Sequence, residues 1–250
     1  MSYDLRGQGE NKIPVSLFNI QQISARFYLV ILRLFRRADD PKEVFSFYFK
    51  RNLFGDHDSK SGTGSSRAAT ESIRSALSPL LVNLNIQVIL DVPCGDFNWA
   101  KEIDWNPFHY IGADIVPGLV ERNRLLHASD GKNFLTLDIL TDPLPRCDLI
   151  LCRDLFIHLP NDLVQTALQN ISRSGTQYLL TTQYDGVKAN RDIKLGSFRP
   201  VNLLLPPFGL PIPELSIPDN DYLKIWGRTL ALWPLDHTVG SEWPGPVMER

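Results

Sequence analysis

The chain reads as an α/β protein: a doubly wound sheet, mostly parallel with an antiparallel last strand, preceded by N-terminal helices. Three observations carry this. After Asn85, short apolar strands alternate with amphipathic helical segments, the pattern of parallel strands joined by crossovers. The first of these strands, Val88-Ile-Leu-Asp-Val92, runs straight into a tight turn, Pro93-Cys-Gly-Asp96. Acids then recur at strand ends: Asp91, Asp114, Asp138 and, just past the fourth strand, Asp154. Strand C-termini share one edge of such a sheet, so these carboxylates converge on the crevice where nucleotide-like ligands bind.

In chain order, residues 1–15 are polar and read as a loose tail. Residues 20–37 lack Gly and Pro and end before Asp39-Asp-Pro41, which predicts a helix with its stop signal. Its apolar stretch, Tyr28 to Leu32, is flanked by Arg26, Arg33, Arg36 and Arg37. Two readings stay open: a peripheral helix on a membrane surface, or one packed on the domain or a second subunit. The apolar run is far too short to span a bilayer. Pro41 opens a second helix, Lys42 to Arg51, followed by the loop Ser59-Lys-Ser-Gly-Thr-Gly-Ser-Ser66. Thr70 to Leu84 places Ile73, Leu77, Leu80 and Leu81 on one helical face.

The expected strands are Val88–Val92, Tyr110–Asp114, Phe134–Leu137, Leu149–Cys152, Tyr178–Thr182 and Arg228–Trp233, with helices at Trp99–Ile103, Leu119–Ser129 and Asn161–Ser172. From Asp185 the alternation fails. Six prolines between 199 and 218 exclude a long helix there, and a segment of this length reads as a lid or binding loop.

Composition narrows the function. A chain of 250 residues with 43% hydrophobic and 22% charged residues is that of a soluble globular protein. A net charge of −2 gives no global field to recruit nucleic acid or acidic lipid. Cys94, Cys147 and Cys152 form no C-x-x-C pair and no zinc-type cluster, so no metal is expected and a reducing cytoplasm fits. No secretory signal opens the sequence. A nicotinamide dehydrogenase is disfavoured because Gly95 is the only glycine of the turn, where G-x-G-x-x-G is needed.

From about Ile73 to Leu235 the chain resembles a class I S-adenosylmethionine-dependent methyltransferase, whose fold is Rossmann-like. Asp91-Val-Pro-Cys-Gly-Asp96 is similar to the family's first motif, acid-x-Gly-x-Gly-x-Gly, with the acid and central glycine kept; here it takes a D-x-P-C-G-D form. Tyr110-Ile-Gly-Ala-Asp-Ile115 resembles the second motif, whose acid holds the ribose. Leu137-Asp-Ile139 resembles the third, whose acid faces the adenine amine. Asp148 to Leu159 resembles the fourth strand and its turn, which carries a histidine near the acceptor in many small-molecule enzymes. Ser61-Gly-Thr-Gly-Ser65 resembles an S-G-x-G-S loop ahead of the core in one subgroup. Pro93 and Phe97 stand where two motif glycines are usual, which implies a stiffer turn with Phe97 over the methionine end of the cofactor.

The resemblance implies S-adenosylmethionine bound by Asp91, Pro93, Cys94, Gly95, Asp96, Asp114, Ile115, Asp138 and Ile139, with Ser61 and Gly62 covering it. Residues 1–69 then form a tail, helices and cofactor-covering loop, and 70–250 a methyltransferase domain with a Pro-rich loop at 185–222. Arg153 is expected to meet the cofactor carboxylate or an acidic acceptor. Asp154 and His158 are spaced i, i+4, so a helical turn would set a carboxylate beside an imidazole, with His158 as general base and Asp154 either its orienter or in direct contact with the acceptor. Trp99, Asn190, Arg199 and Asn202 are expected on the acceptor, and Pro206-Pro-Phe208 could wall it. Amides and charges in this last group point to a small-molecule or glycan hydroxyl. A protein-side-chain methyltransferase and a catalytically silent cofactor-binding partner subunit are the competing readings. A nucleic-acid enzyme lacks any base-flipping signature. The expected setting is cytoplasmic or at a membrane face.

Overall fold

The structure, a computed structural model, describes residues 39–219 and 226–235. The helix expected over 20–37, with its membrane or subunit contact, lies outside the described residues. The described residues from Asp40 onward form one compact unit.

Helix α1 (Pro41–Arg51) is written in local chemistry. The Asp40 carboxylate caps its first turn by accepting from Lys42 N–H at 2.8 Å, Pro41 occupies the position where a missing N–H costs nothing, and left-handed Asn52 ends it. Helix α2 (Glu71–Asn83) turns Ile73, Leu77 and Leu81 inward. Helices α3 (Pro117–His127) and α4 (Asn161–Arg173) are the crossovers after the second and fourth strands.

The strands are β1 (Val88–Asp91), β2 (His109–Asp114), β3 (Lys132–Thr136), β4 (Leu149–Cys152), β5 (Tyr178–Tyr184), β6 (Leu215–Pro218) and β7 (Arg228–Pro234). They form one sheet in the order β3-β2-β1-β4-β5-β7-β6. Neighbours from β3 to β5 are parallel, whereas β7 is antiparallel to both β5 and β6. Both faces are covered, which is why β4 is apolar without alternation. Leu149 and Leu151 pack into the layer of α2 and α3, Ile150 and Cys152 into that of α4. Each fully buried Leu or Ile in these layers contributes about 1.5–3 kcal/mol. The chain order reverses at β1, between β2 and β4, and the site opens beyond the carboxyl ends of those strands.

Two expectations change. The helix expected at Trp99–Ile103 is only a 3₁₀ turn, Ala100–Glu102, since Asp104 and Pro107 leave too few residues to propagate an α-helix. The Pro-rich loop contains the edge strand β6, where Pro218 is tolerated because an edge leaves one side unpaired.

Candidate active site

The turn after β1 is built around Gly95, whose φ of +54° is left-handed. Its N–H donates to Asp114 Oδ2 at 3.2 Å, and Val116 N–H donates to Oδ1 at 3.0 Å. Asn123 on α3 donates to the Gly95 carbonyl at 2.7 Å and locks the turn. Burial pushes the Asp114 carboxyl up to about 6. Asp91 is buried too and is pushed up to about 7, although the Tyr110 hydroxyl donates to its Oδ2. Asp138 follows β3, with Oδ1 held by Leu140 N–H at 2.9 Å. Each carboxylate keeps lone pairs for a ligand's donors.

These groups border a cavity of about 660 Å³, within the usual range for a small-molecule site. Asp91, Pro93, Cys94, Gly95, Asp114, Ile115, Asp138 and Ile139 line it, as do Ser61, Gly62, Trp99, Arg153, Asp154 and His158. The loop Ser61–Ser65 reaches it by close backbone approach. A Cβ on Gly95 would sit 2.4 Å from Ser61 Oγ, and one on Gly64 would sit 2.9 Å from Asp154 Oδ2.

Other expected residues lie elsewhere. Asp96 is off the cavity wall, and its carboxylate accepts from the Ser59 and Ser61 hydroxyls and from Lys60 N–H at 2.7 Å. These bonds anchor the loop to the turn. Phe97 does not cover the cavity: at φ +57° its ring enters the core between Tyr110, His127 and Phe134. Asn190, Arg199 and Asn202 do not reach the wall either. Asn190 donates to the Asn202 and Pro206 carbonyls, Asn202 donates to the Val187 carbonyl, and Arg199 holds the Phe156 carbonyl and Asn161. Their hydrogen bonds fold the 185–214 segment, because a long loop must satisfy its own backbone. Phe208 is likewise a core residue.

Asp154 and His158 share the cavity without bonding to each other. Asp154 is left-handed at φ +61°, and His158 ends a 3₁₀ turn, Phe156–His158, so the two do not stack as on an α-helix. The expected orienter is replaced: His158 Nδ1 lies 2.8 Å from the Ser197 carbonyl. A carbonyl only accepts, so Nδ1 carries the proton and the lone pair of the neutral ring is on Nε2. Burial lowers the His158 pKa, opposed by the Ser197 bond and the nearby Asp154 charge.

Asp154 belongs to a buried ion cluster. Its Oδ2 takes Arg228 at 2.6 Å and Arg153 at 3.3 Å, while Arg153 and Arg228 also meet Asp219 at 3.1 and 2.9 Å. Thr182 Oγ1 accepts from Asp154 N–H and donates to its Oδ1. Burial works against the Asp154 charge, but Arg228 and Arg153 outweigh it and hold the carboxyl below its usual range. Arg153, expected on a ligand carboxylate, is engaged by this cluster and by the Gly64 carbonyl at 2.8 Å, with its guanidinium 5.6 Å over the Trp99 ring.

Sequence reasoning missed the aromatic part of the wall: Phe45 and Phe49 of α1, then Phe54, Tyr184, Phe198 and Trp226. Phe54 stacks on His158 at 4.7 Å between ring centroids. The signal was present in part, as Phe45, Phe47, Tyr48, Phe49 and Phe54 cluster within ten residues. Arg228 and Asp219 carried none, since no spacing links them to Arg153.

Neither a family model nor a curated protein sequence matches the chain. Among solved structures, magnesium protoporphyrin IX methyltransferase from Synechocystis PCC 6803 with bound SAM is similar over 77% of this chain and 96% of that one, at 15% identity and a TM-score of 0.50. The same enzyme with bound SAH aligns over 58% and 73%, at 17% identity and 0.44. Human N-acetylserotonin methyltransferase in complex with SAM aligns over 63% of this chain at 15% identity and 0.40, and the aligned part spans only 41% of the human enzyme. With the mostly parallel seven-stranded sheet, its antiparallel β7 and its flanking helices, the similarity over most of both chains shows that the chain has the Rossmann-like fold of the class I methyltransferases.

Proposed function

We propose that the protein transfers a methyl group from S-adenosylmethionine to a hydroxyl of a small-molecule acceptor. The observation that carries this is one shared cavity. Asp91, Gly95, Asp114 and Asp138 line it together with His158, and the Ser61–Ser65 loop touches both the first-motif turn and the Asp154 cluster.

The residues fit the cofactor. Asp114 offers two fixed oxygens to a ribose diol, and Asp138 offers a half-buried carboxylate to an adenine amine. Gly95 leaves room where a side chain would strike Ser61. When bound, S-adenosylmethionine supplies a sulfonium methyl whose transfer needs no acid for the leaving group. The chain's task is therefore positioning, which is worth up to about 7–11 kcal/mol of a barrier. His158 Nε2 takes the hydroxyl proton, and Ser197 fixes the tautomer that allows it.

Calorimetric titration with S-adenosylmethionine and S-adenosylhomocysteine tests the reading. Both bind wild type, and Asp114→Ala weakens both by about tenfold or more, as expected for lost bonds to a buried carboxylate. No binding to wild type sinks it.

A further inference from the structure

Resting on that reading, we propose that the acceptor is a neutral planar phenol, its ring held between Phe54 and Phe198 and its hydroxyl at His158 Nε2. Aromatic rings from three distant segments meet at this end of the cavity. Phe54 lies 4.7 Å from the His158 ring and Phe198 lies 6.2 Å from it on a separate loop. Tyr184 and Trp226, which also line the cavity, pair edge to face at 6.5 Å. Offset and edge-on contacts of this kind are what a flat ring completes. Phe198 is 54% exposed while lining the cavity, an apolar surface left to a ligand.

The polar groups point the same way. Arg153, Arg228, Asp154 and Asp219 cancel to zero charge and are paired with one another, so the cluster exerts no net pull on an ionic acceptor. The amides that would recognise a polyol, Asn190 and Asn202, are bound to backbone carbonyls away from the wall. A sugar's several hydroxyls would meet Phe rings and lose water without replacement. The base agrees as well. Burial leaves His158 weakly basic, which suits a hydroxyl ionising near pH 10 better than an aliphatic alcohol.

The step balances. The phenol oxygen forms a bond to the methyl carbon as its proton passes to Nε2, and the electron pair of the broken C–S bond stays on sulfur as a neutral thioether. The products are an aryl methyl ether, S-adenosylhomocysteine and a protonated His158.

The test uses the full chain loaded with S-adenosylhomocysteine, titrated calorimetrically with naphthol and with methyl glucoside as the polyol probe. Methyl transfer from labelled S-adenosylmethionine to each is then followed. Naphthol binds and is methylated, and the glucoside does neither. Phe198→Ala, a change at an exposed residue, weakens naphthol by about tenfold with S-adenosylhomocysteine affinity unchanged, and Phe198→Tyr restores it. Preference for the glucoside, no naphthol binding to the loaded protein, or equal naphthol affinity in Phe198→Ala overturns the acceptor assignment and leaves the methyltransferase reading standing. Failure of S-adenosylhomocysteine itself to bind overturns both.

Discussion

The backbone N–H of Asp96 donates to the Ser61 hydroxyl at 2.9 Å, and that hydroxyl donates back to Asp96 Oδ1 at 3.1 Å. With Ser59 and Lys60 N–H on the same carboxylate, one side chain ties the glycine-containing loop to the turn after β1. Asp96→Ala leaves these donors without their acceptor, at about 1–3 kcal/mol for the set. Trypsin then cuts faster at Lys60, and S-adenosylhomocysteine binds at least about tenfold more weakly. Unchanged cleavage and affinity would show that the loop stands without this anchor.

His158 is expected to act on the acceptor and not on the cofactor. His158→Ala lowers kcat by about 10²–10⁴-fold with S-adenosylhomocysteine affinity retained. The base must be neutral, and its pKa lies below the ordinary 6.5, so wild-type kcat rises with pH to a half-maximum below pH 6.5. Steady-state rates across pH read both effects. A midpoint above pH 7 removes His158 from the role.

Much of this was legible beforehand, and the limits have physical reasons. The parallel core could be read because β4 and the first three residues of β1, buried on both faces, form unbroken apolar runs, while acids mark where the strands stop. Asp91, Asp114 and Asp138 follow from that rule alone. Asn190, Arg199 and Asn202 did not reach the cavity because polar residues in a long loop serve equally to bind a ligand or to fold the loop. Composition cannot separate those uses. The Asp154–His158 spacing misled for a different reason: it assumed α-helical geometry, and a left-handed Asp154 followed by a 3₁₀ turn separates the side chains.

The ion cluster predicts a stability effect. Asp219→Ala leaves two buried guanidiniums facing the single carboxylate of Asp154, and breaking a buried pair by one partner costs about 3–5 kcal/mol. Urea denaturation measures it. A loss under about 1 kcal/mol would mean that water enters and solvates the arginines.

Asp91 predicts a pH dependence. Its folded pKa, about 7, lies above the ordinary 3.8, so its favourable contribution is full below pH 3.8 and is lost as pH rises through about 7. Asp114, raised to about 6, acts in the same direction, and Asp154, lowered by its arginines, acts in the opposite one at acid pH. Asp91→Asn removes the first contribution. The variant melts a few degrees above wild type at pH 8, for about 1–3 kcal/mol, and the two curves converge near pH 4. Parallel melting curves across that range would contradict the assignment.

Strand β7 lies in the sheet between β5 and β6, so β6 and β7 form an antiparallel pair that joins the parallel strands through its inner member. Asp219 follows β6 and Arg228 opens β7, so half of the ion cluster belongs to that pair. Loosening of this edge pair therefore parts Arg153 from Asp219 and Asp154 from Arg228, so a disturbance at one margin of the sheet is felt at the end of β4, in its interior.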